Sequence, residues 1–120
     1  MQILVVEDEP DLARHIAGAL NRNGHSTDVR HDGQEALDIL AKDSRFDGIL
    51  MDCQMPVMDG YTATRTIRTN PVFKDLPIIA MTANAMAGDK EKVLEVGLQD
   101  HIAKPLNVGL MFATLARWIH

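Results

Sequence analysis

Apolar residues along this chain fall into two alternating patterns. Short aliphatic runs at Ile3–Val6, Ser26–Arg30, Phe46–Met51, Pro77–Met81 and His101–Ala103 each predict a strand. The first, third and fourth are nearly continuous, as expected of parallel strands covered on both faces, so they predict the centre of a sheet. Between the runs, apolar residues recur at helical spacing. Leu12, Ile16 and Leu20 predict one helix face, and Ala36, Leu37, Leu40 and Ala41 predict a second. Asn23-Gly24 is a stop signal after the first helix. Asp59 is placed to cap a third helix that runs through Ile67 and must end before Pro71. A fourth helix carries Val93, Leu94 and Val96 and stops at Gly97. A fifth, capped by Asn107, carries Met111, Phe112, Leu115, Trp118 and Ile119.

Strict alternation of strand and helix, joined by right-handed crossovers, predicts an α/β fold with helices on both faces of a parallel sheet. Five strands in 120 residues suit a flavodoxin-like doubly wound sandwich, with a five-stranded parallel sheet in order 2-1-3-4-5 and five helices. Residues 1–120 then form one domain, read equally as a stand-alone protein or as a module of a longer one. Such sheets bind ligands beyond the carboxyl ends of their strands, beside the point where strand order reverses.

That rule singles out a few polar residues. Strand one ends in Glu7-Asp8, strand three in Asp52, strand four in Thr82 and strand five in Lys104. An acid after a strand is by itself an ordinary cap or turn residue. Four strand ends converging on one crevice is a stronger pattern. Two carboxylates about 4 Å apart repel by about 4 kcal/mol at an effective dielectric near 20, so three of them require compensating positive charge or raised pKa values. Lys104 supplies one charge and a divalent cation would supply two. Hard oxygen donors without a His or Cys pattern favour Mg²⁺. A metal, a lysine and a hydroxyl together make an electrostatic clamp for a phosphoryl group, which Asp52 could attack in line while Thr82 donates its hydroxyl.

Composition and charge narrow the alternatives. A hydrophobic fraction of 46% and a charged fraction of 24% argue against disorder. Twelve basic against seventeen acidic residues give a net charge of -5, without a basic block, so direct nucleic-acid binding is not expected. No run approaches the roughly 18 apolar residues of a membrane helix, and no direct membrane contact is expected. Cys53, the single cysteine, reads as a small hydrophobe and agrees with a reducing compartment. His15, His25, His31 and His120 lack metal-ligand spacing and read as surface residues.

The stretches VVEDEP at Val5 to Pro10, MDCQMPVMDG at Met51 to Gly60, MTANA at Met81 to Ala85 and HIAKP at His101 to Pro105 resemble, in order, the receiver domain of two-component response regulators. The resemblance covers nearly the whole chain. It implies that Asp52 is the phosphoacceptor, Asp8 a direct Mg²⁺ ligand, Glu7 its water-mediated neighbour, and the Gln54 backbone carbonyl a further ligand. It implies phosphoryl-binding roles for Thr82, Ala83 and Lys104, a switch role for Thr82, and a cis bond at Lys104-Pro105. His101 stands where the family often has Tyr or Phe. It reads either as a titratable lever for the switch or as a half-exposed edge-strand residue.

A finer similarity, to receivers carried by hybrid sensor histidine kinases, implies a histidine kinase domain as phosphoryl donor and a histidine phosphotransfer domain as acceptor. Both would be met over the crevice and helix one. It also implies a cytoplasmic location, free or as the cytoplasmic part of a membrane-anchored hybrid kinase. The domain would promote its own phosphorylation and dephosphorylation without being a turnover enzyme. Helix four, strand five and helix five would form the family's usual output or dimer face, with no expectation for oligomeric state. Two rivals stand beside this reading. One is an aspartate-nucleophile phosphatase, which would need a second aspartate where Gln54 stands. The other is an interaction module that keeps the fold without the chemistry.

Overall fold

The computed structural model describes residues 1–43, 45–52, 60–82, 97–103 and 107–119. Five parallel strands lie in the order β2-β1-β3-β4-β5. They are β1 (Gln2–Val6), β2 (Ser26–Arg30), β3 (Gly48–Asp52), β4 (Ile78–Thr82) and β5 (Asp100–Ala103). The described helices are α1 (Pro10–Arg22), α2 (Gly33–Lys42), α3 (Gly60–Arg68) and α4 (Val108–Trp118), with a 3₁₀ turn at Pro71–Phe73. As expected from their continuous apolar runs, β1, β3 and β4 occupy the centre of the sheet. The expected fourth helix with Val93, Leu94 and Val96, the Asp59 cap, and the Lys104-Pro105 bond lie outside the described residues.

Period-two alternation divides each central strand between two cores. Leu4, Val6, Ile49, Met51, Ile78 and Ala80 pack with Tyr61, Ile67 and Phe73 on the α2–α3 side. Ile3, Val5, Leu50, Ile79 and Met81 pack with Ile16, Leu20, Met111 and Leu115 on the α1–α4 side. Every one of these strand side chains is fully buried, and each except the smaller Ala80 contributes roughly 1.5–3 kcal/mol by leaving water.

Local chemistry ends the helices where the pattern predicts. Asn23 is the C-cap of α1, and Gly24 takes φ +84°, a conformation that glycine adopts without strain. The Asn107 side chain accepts the Leu110 N–H at 3.0 Å and starts α4. Several expectations are corrected. Strand β3 starts at Gly48 rather than Phe46, whose buried ring belongs to the α2–α3 core, and it includes Asp52, which pairs with Met81 in the β4 ladder. Ala41 is exposed, because it lies about 100° around the helix from the buried Leu40, and the partly buried Ile39 packs against the core in its place. His25 is half-buried, its ring 6.2 Å from that of Phe112, which is itself only partly buried.

Two polar junctions hold the layers together. Arg68, at the end of α3, donates to the carbonyls of Gly97 (2.8 Å) and Phe73 (2.7 Å) and to Gln99 Oε1 (2.8 Å). Gln99 in turn accepts the Ile78 N–H at 2.7 Å and donates to the Leu76 carbonyl at 3.2 Å. One guanidinium thus ties α3, the 3₁₀ turn and the entry to β5 into a single network. Burial pulls the Arg68 pKa below its ordinary value, with the Asp75 carboxylate acting the other way. At the second junction Asp100 Oδ2 accepts from Trp118 Nε1 (3.0 Å) and Arg117 (3.1 Å), joining β5 to the end of α4.

Arg68→Ala strips a donor from the Gly97, Phe73 and Lys74 carbonyls and the Gln99 amide at once. The expected loss is about 2–4 kcal/mol, read by urea unfolding, with Arg68→Lys recovering only part because an ammonium cannot span the same acceptors. Burial alone would raise the Asp100 carboxyl, but hydrogen bonds from the Trp118 indole and the His101 N–H, with Arg117 nearby, outweigh it and hold the pKa below the ordinary 3.8. The resulting stability is complete above the unfolded carboxyl range and is lost as pH falls through the lower folded value. Acid unfolding followed by Trp118 fluorescence should accordingly show a shallower pH dependence in Asp100→Asn than in wild type.

Candidate functional site

Parallel pairing lines up the carboxyl ends of neighbouring strands, and this places the acids. The last paired residues of β1 and β3 are Val6 and Met51, so the residues that follow, Glu7 and Asp52, lie side by side. Val5 and Leu50 face the α1–α4 core, and two residues further on the pleat turns Glu7 and Asp52 to that same face. Asp8 follows in the turn that leads to Pro10 at the start of α1. Among the described residues, one carboxylate oxygen from each of Glu7, Asp8 and Asp52 lies within 4.8 Å of the others.

The three acids differ in exposure. Glu7 is 0% and Asp52 1% exposed, while Asp8 opens to solvent. Glu7 is also held by its neighbours: its N–H donates to the Arg30 carbonyl at 3.0 Å, and its Oε2 accepts the Glu9 N–H at 3.2 Å. Three carboxylate oxygens with one side open to water form a hard donor set that suits an oxygen-preferring divalent cation and leaves room for water or phosphate oxygens in its shell. Glu9 caps the first turn of α1 without a side-chain hydrogen bond.

The remaining sequence-predicted residues divide into those described and those not. Thr82 is the last residue of β4, paired with Ala103 of β5 and one step beyond Met81, the ladder partner of Asp52. Its backbone therefore reaches the carboxyl edge next to Asp52. Gln54, Ala83 and Lys104 lie outside the described residues. His101 sits on β5 opposite Ala80 and is half-buried. Its N–H donates to Asp100 Oδ1 at 2.8 Å, and its Nδ1 lies 3.9 Å from the same oxygen. It is thus placed in the β5–α4 junction on an edge strand.

His31 is the residue that the sequence reading passed over. Its Nδ1 lies 3.0 Å from the Glu7 backbone carbonyl. The signal that could have found it is positional, since it is the first residue after β2 and therefore stands at a strand carboxyl end like the acids. Among the described residues no helix is long and apolar enough to cross a membrane.

Comparison with known proteins agrees with this geometry. Hybrid signal transduction histidine kinase I of Dictyostelium discoideum is 38% identical over 120 residues, covering 95% of this chain and 7% of that protein. Signal transduction histidine-protein kinase BarA of Escherichia coli is 38% identical over 118 residues, covering 98% of this chain and 13% of that protein. The chain therefore spans a small fraction of the length of these curated relatives, and it matches receivers within hybrid sensor histidine kinases. Among solved structures, the Vibrio cholerae chemotaxis protein CheY4 superposes with a TM-score of 0.93 at 30% identity, covering 98% of both chains. The receiver domain of sensor histidine kinase PA1611 from Pseudomonas aeruginosa superposes with a TM-score of 0.89 at 42% identity, covering 98% of this chain and 95% of that one. It was solved with a magnesium ion coordinated in its active site cleft. The family model for the response regulator receiver domain matches residues 3–116, so this chain, with its acid cluster at the carboxyl edge of a 2-1-3-4-5 sheet, belongs to the response regulator receiver family of two-component signalling.

Proposed function

We propose that this receiver accepts a phosphoryl group on Asp52 from a kinase phosphohistidine, in a Mg²⁺-dependent reaction, and either changes state or passes the group to a histidine phosphotransfer domain. The observation that carries this is the gathering of Glu7, Asp8 and Asp52 within 4.8 Å at the carboxyl edge. Glu7, Asp8 and Asp52, with the Gln54 carbonyl, would hold the cation. Bound Mg²⁺ would supply positive charge against the transferring phosphoryl oxygens. Asp52 offers a carboxylate oxygen to phosphorus; the new O–P bond forms as the N–P bond of the phosphohistidine breaks, and the electron pair leaves on the imidazole nitrogen. Thr82, Ala83 and Lys104 would bind the phosphoryl oxygens through a hydroxyl, a backbone N–H and an ammonium. Thr82 and His101 would carry the switch.

The similarity to receivers of hybrid kinases supports a kinase domain and a phosphotransfer domain as donor and acceptor, and a cytoplasmic setting. It is matched by the -5 net charge, which gives no electrostatic footing for nucleic acid. Incubation with Mg²⁺ and acetyl phosphate should add one phosphoryl group, read by intact mass. No gain, or a gain that survives Asp52→Asn, would refute the assignment. The same variant tests the electrostatics. Removing one of three crowded charges should stabilise the metal-free protein by about 1 kcal/mol, raising Tm by roughly 3–6 °C. Saturating Mg²⁺ should raise the Tm of wild type more than that of Asp52→Asn.

A further inference from the structure

His31 is exposed, yet one edge of its ring is committed. A carbonyl oxygen can only accept, so the Nδ1 lying 3.0 Å from the Glu7 carbonyl carries the proton and donates it. That carbonyl belongs to the peptide joining Glu7 to Asp8. Two members of the acid cluster thus hang from the two ends of one peptide plane, and the imidazole holds the plane from the side of β2. The His31 backbone is itself fastened: its N–H donates to Glu35 Oε1 at 2.8 Å, while the Glu35 N–H donates to Asp32 Oδ1 at 2.8 Å in the first turn of α2. A chain of hydrogen bonds therefore runs from the start of α2, through His31, to the acid turn.

The turn has a reason to need this support. Glu7 stands one residue past the last ladder pairs of β1, Val6 with Arg30 and Val6 with Met51. Its N–H still finds the Arg30 carbonyl, and the His31 ring, also on the β2 side, meets its carbonyl. Rotation of the Glu7–Asp8 peptide would swing Asp8, the exposed acid, relative to the two buried ones. A cation that demands near-octahedral oxygens at about 2.1 Å tolerates little of that motion.

We propose that His31 is a positioning residue for the cation site. It holds the Glu7–Asp8 peptide through its Nδ1–H and so sets the angle at which Asp8 joins Glu7 and Asp52. The proposal rests on reading the acid cluster as a Mg²⁺ site. It assigns His31 no ligand role, since a hard cation of this kind takes oxygen rather than imidazole. Asparagine can present an amide N–H where the imidazole Nδ1 sits, whereas leucine keeps bulk without a donor.

The experiment compares wild type, His31→Leu and His31→Asn as full chains by isothermal titration with MgCl₂ and by ¹H–¹⁵N spectra without metal. His31→Leu should bind Mg²⁺ about tenfold more weakly, as loss of an outer-shell partner does, and His31→Asn should stay within about threefold of wild type. In the metal-free spectra the Asp8 amide, on the far side of the held peptide, should move in His31→Leu and return toward its wild-type position in His31→Asn. A purely structural role would lower thermal stability without this rescue. Equal Mg²⁺ affinity in His31→Leu and wild type overturns the proposal, as does a His31→Asn variant as weak as His31→Leu. An unmoved Asp8 amide overturns the peptide-holding role independently of any metal. Wild type that fails to bind Mg²⁺ defeats the metal reading of the cluster and this role with it. Should leucine disturb the fold, His31→Ala provides the donor-free comparison.

Discussion

Like charges crowded at the ends of adjacent parallel strands are the constraint around which this molecule is organised. Parallel pairing forces the carboxyl ends of β1 and β3 to one edge, and the pleat forces Glu7 and Asp52 to one face of it. With Asp8 in the turn beyond, three carboxylates converge within 4.8 Å, and their mutual repulsion opposes the fold. An arrangement of that kind persists only if the rest of the structure holds it. The two apolar cores supply the restraint, since they clamp β1, β3 and β4 from both sides through side chains that are fully buried. The same three acids form a hard oxygen donor set of the kind that suits a compact divalent cation.

The opposite edge of the sheet is built on contrary terms. There the polar groups meet partners of opposite character: Arg68 among carbonyls and the Gln99 amide, Asp100 between an indole and a guanidinium. These junctions tie α3 to the entry of β5, and β5 to the end of α4. One edge is therefore a base where charged and hydrogen-bonding groups of opposite character meet, and the other a rim where three acids gather. Among the described residues, the Arg68 and Asp100 junctions join the layers at the base, away from the acids.

Much of this was legible in the chain because burial on both faces leaves a mark on sequence. Continuous aliphatic runs located β1, β3 and β4, and with them the carboxyl edge and the acids Glu7, Asp8 and Asp52. What escaped depends on partners far away in sequence. Arg68 reads as an ordinary basic residue at a helix end until Gly97 and Gln99 are brought to it, 29 and 31 positions on. His31 reads as a surface histidine until Glu7, 24 positions before it, presents a carbonyl. Ala41 was misplaced for a more local reason, since alanine carries too weak an apolar signal to say on which side of a helix it lies. The roles of Gln54, Ala83 and His101, and the switch role of Thr82, came from family resemblance, because spacing alone places residues at an edge without giving them such roles.

The three acids are chemically alike but mechanically different, and that difference favours Asp52 as the nucleophile in the proposed reaction. Asp52 is inside the β3 ladder, paired with Met81 of β4, with β1 on its other side. Its short side chain leaves few rotatable bonds between a rigid backbone and the reacting oxygen, which is the condition for in-line attack. Glu7 has one more methylene, and one of its oxygens is already occupied by the Glu9 N–H. Asp8 is exposed, in a turn past the strand end, so water competes for its oxygens and its position depends on the peptide that His31 holds. A cation can draw all three together, because coordination averages over small displacements of several ligands. Attack on phosphorus by a single oxygen cannot average in this way, so it falls to the acid whose backbone is held on both sides.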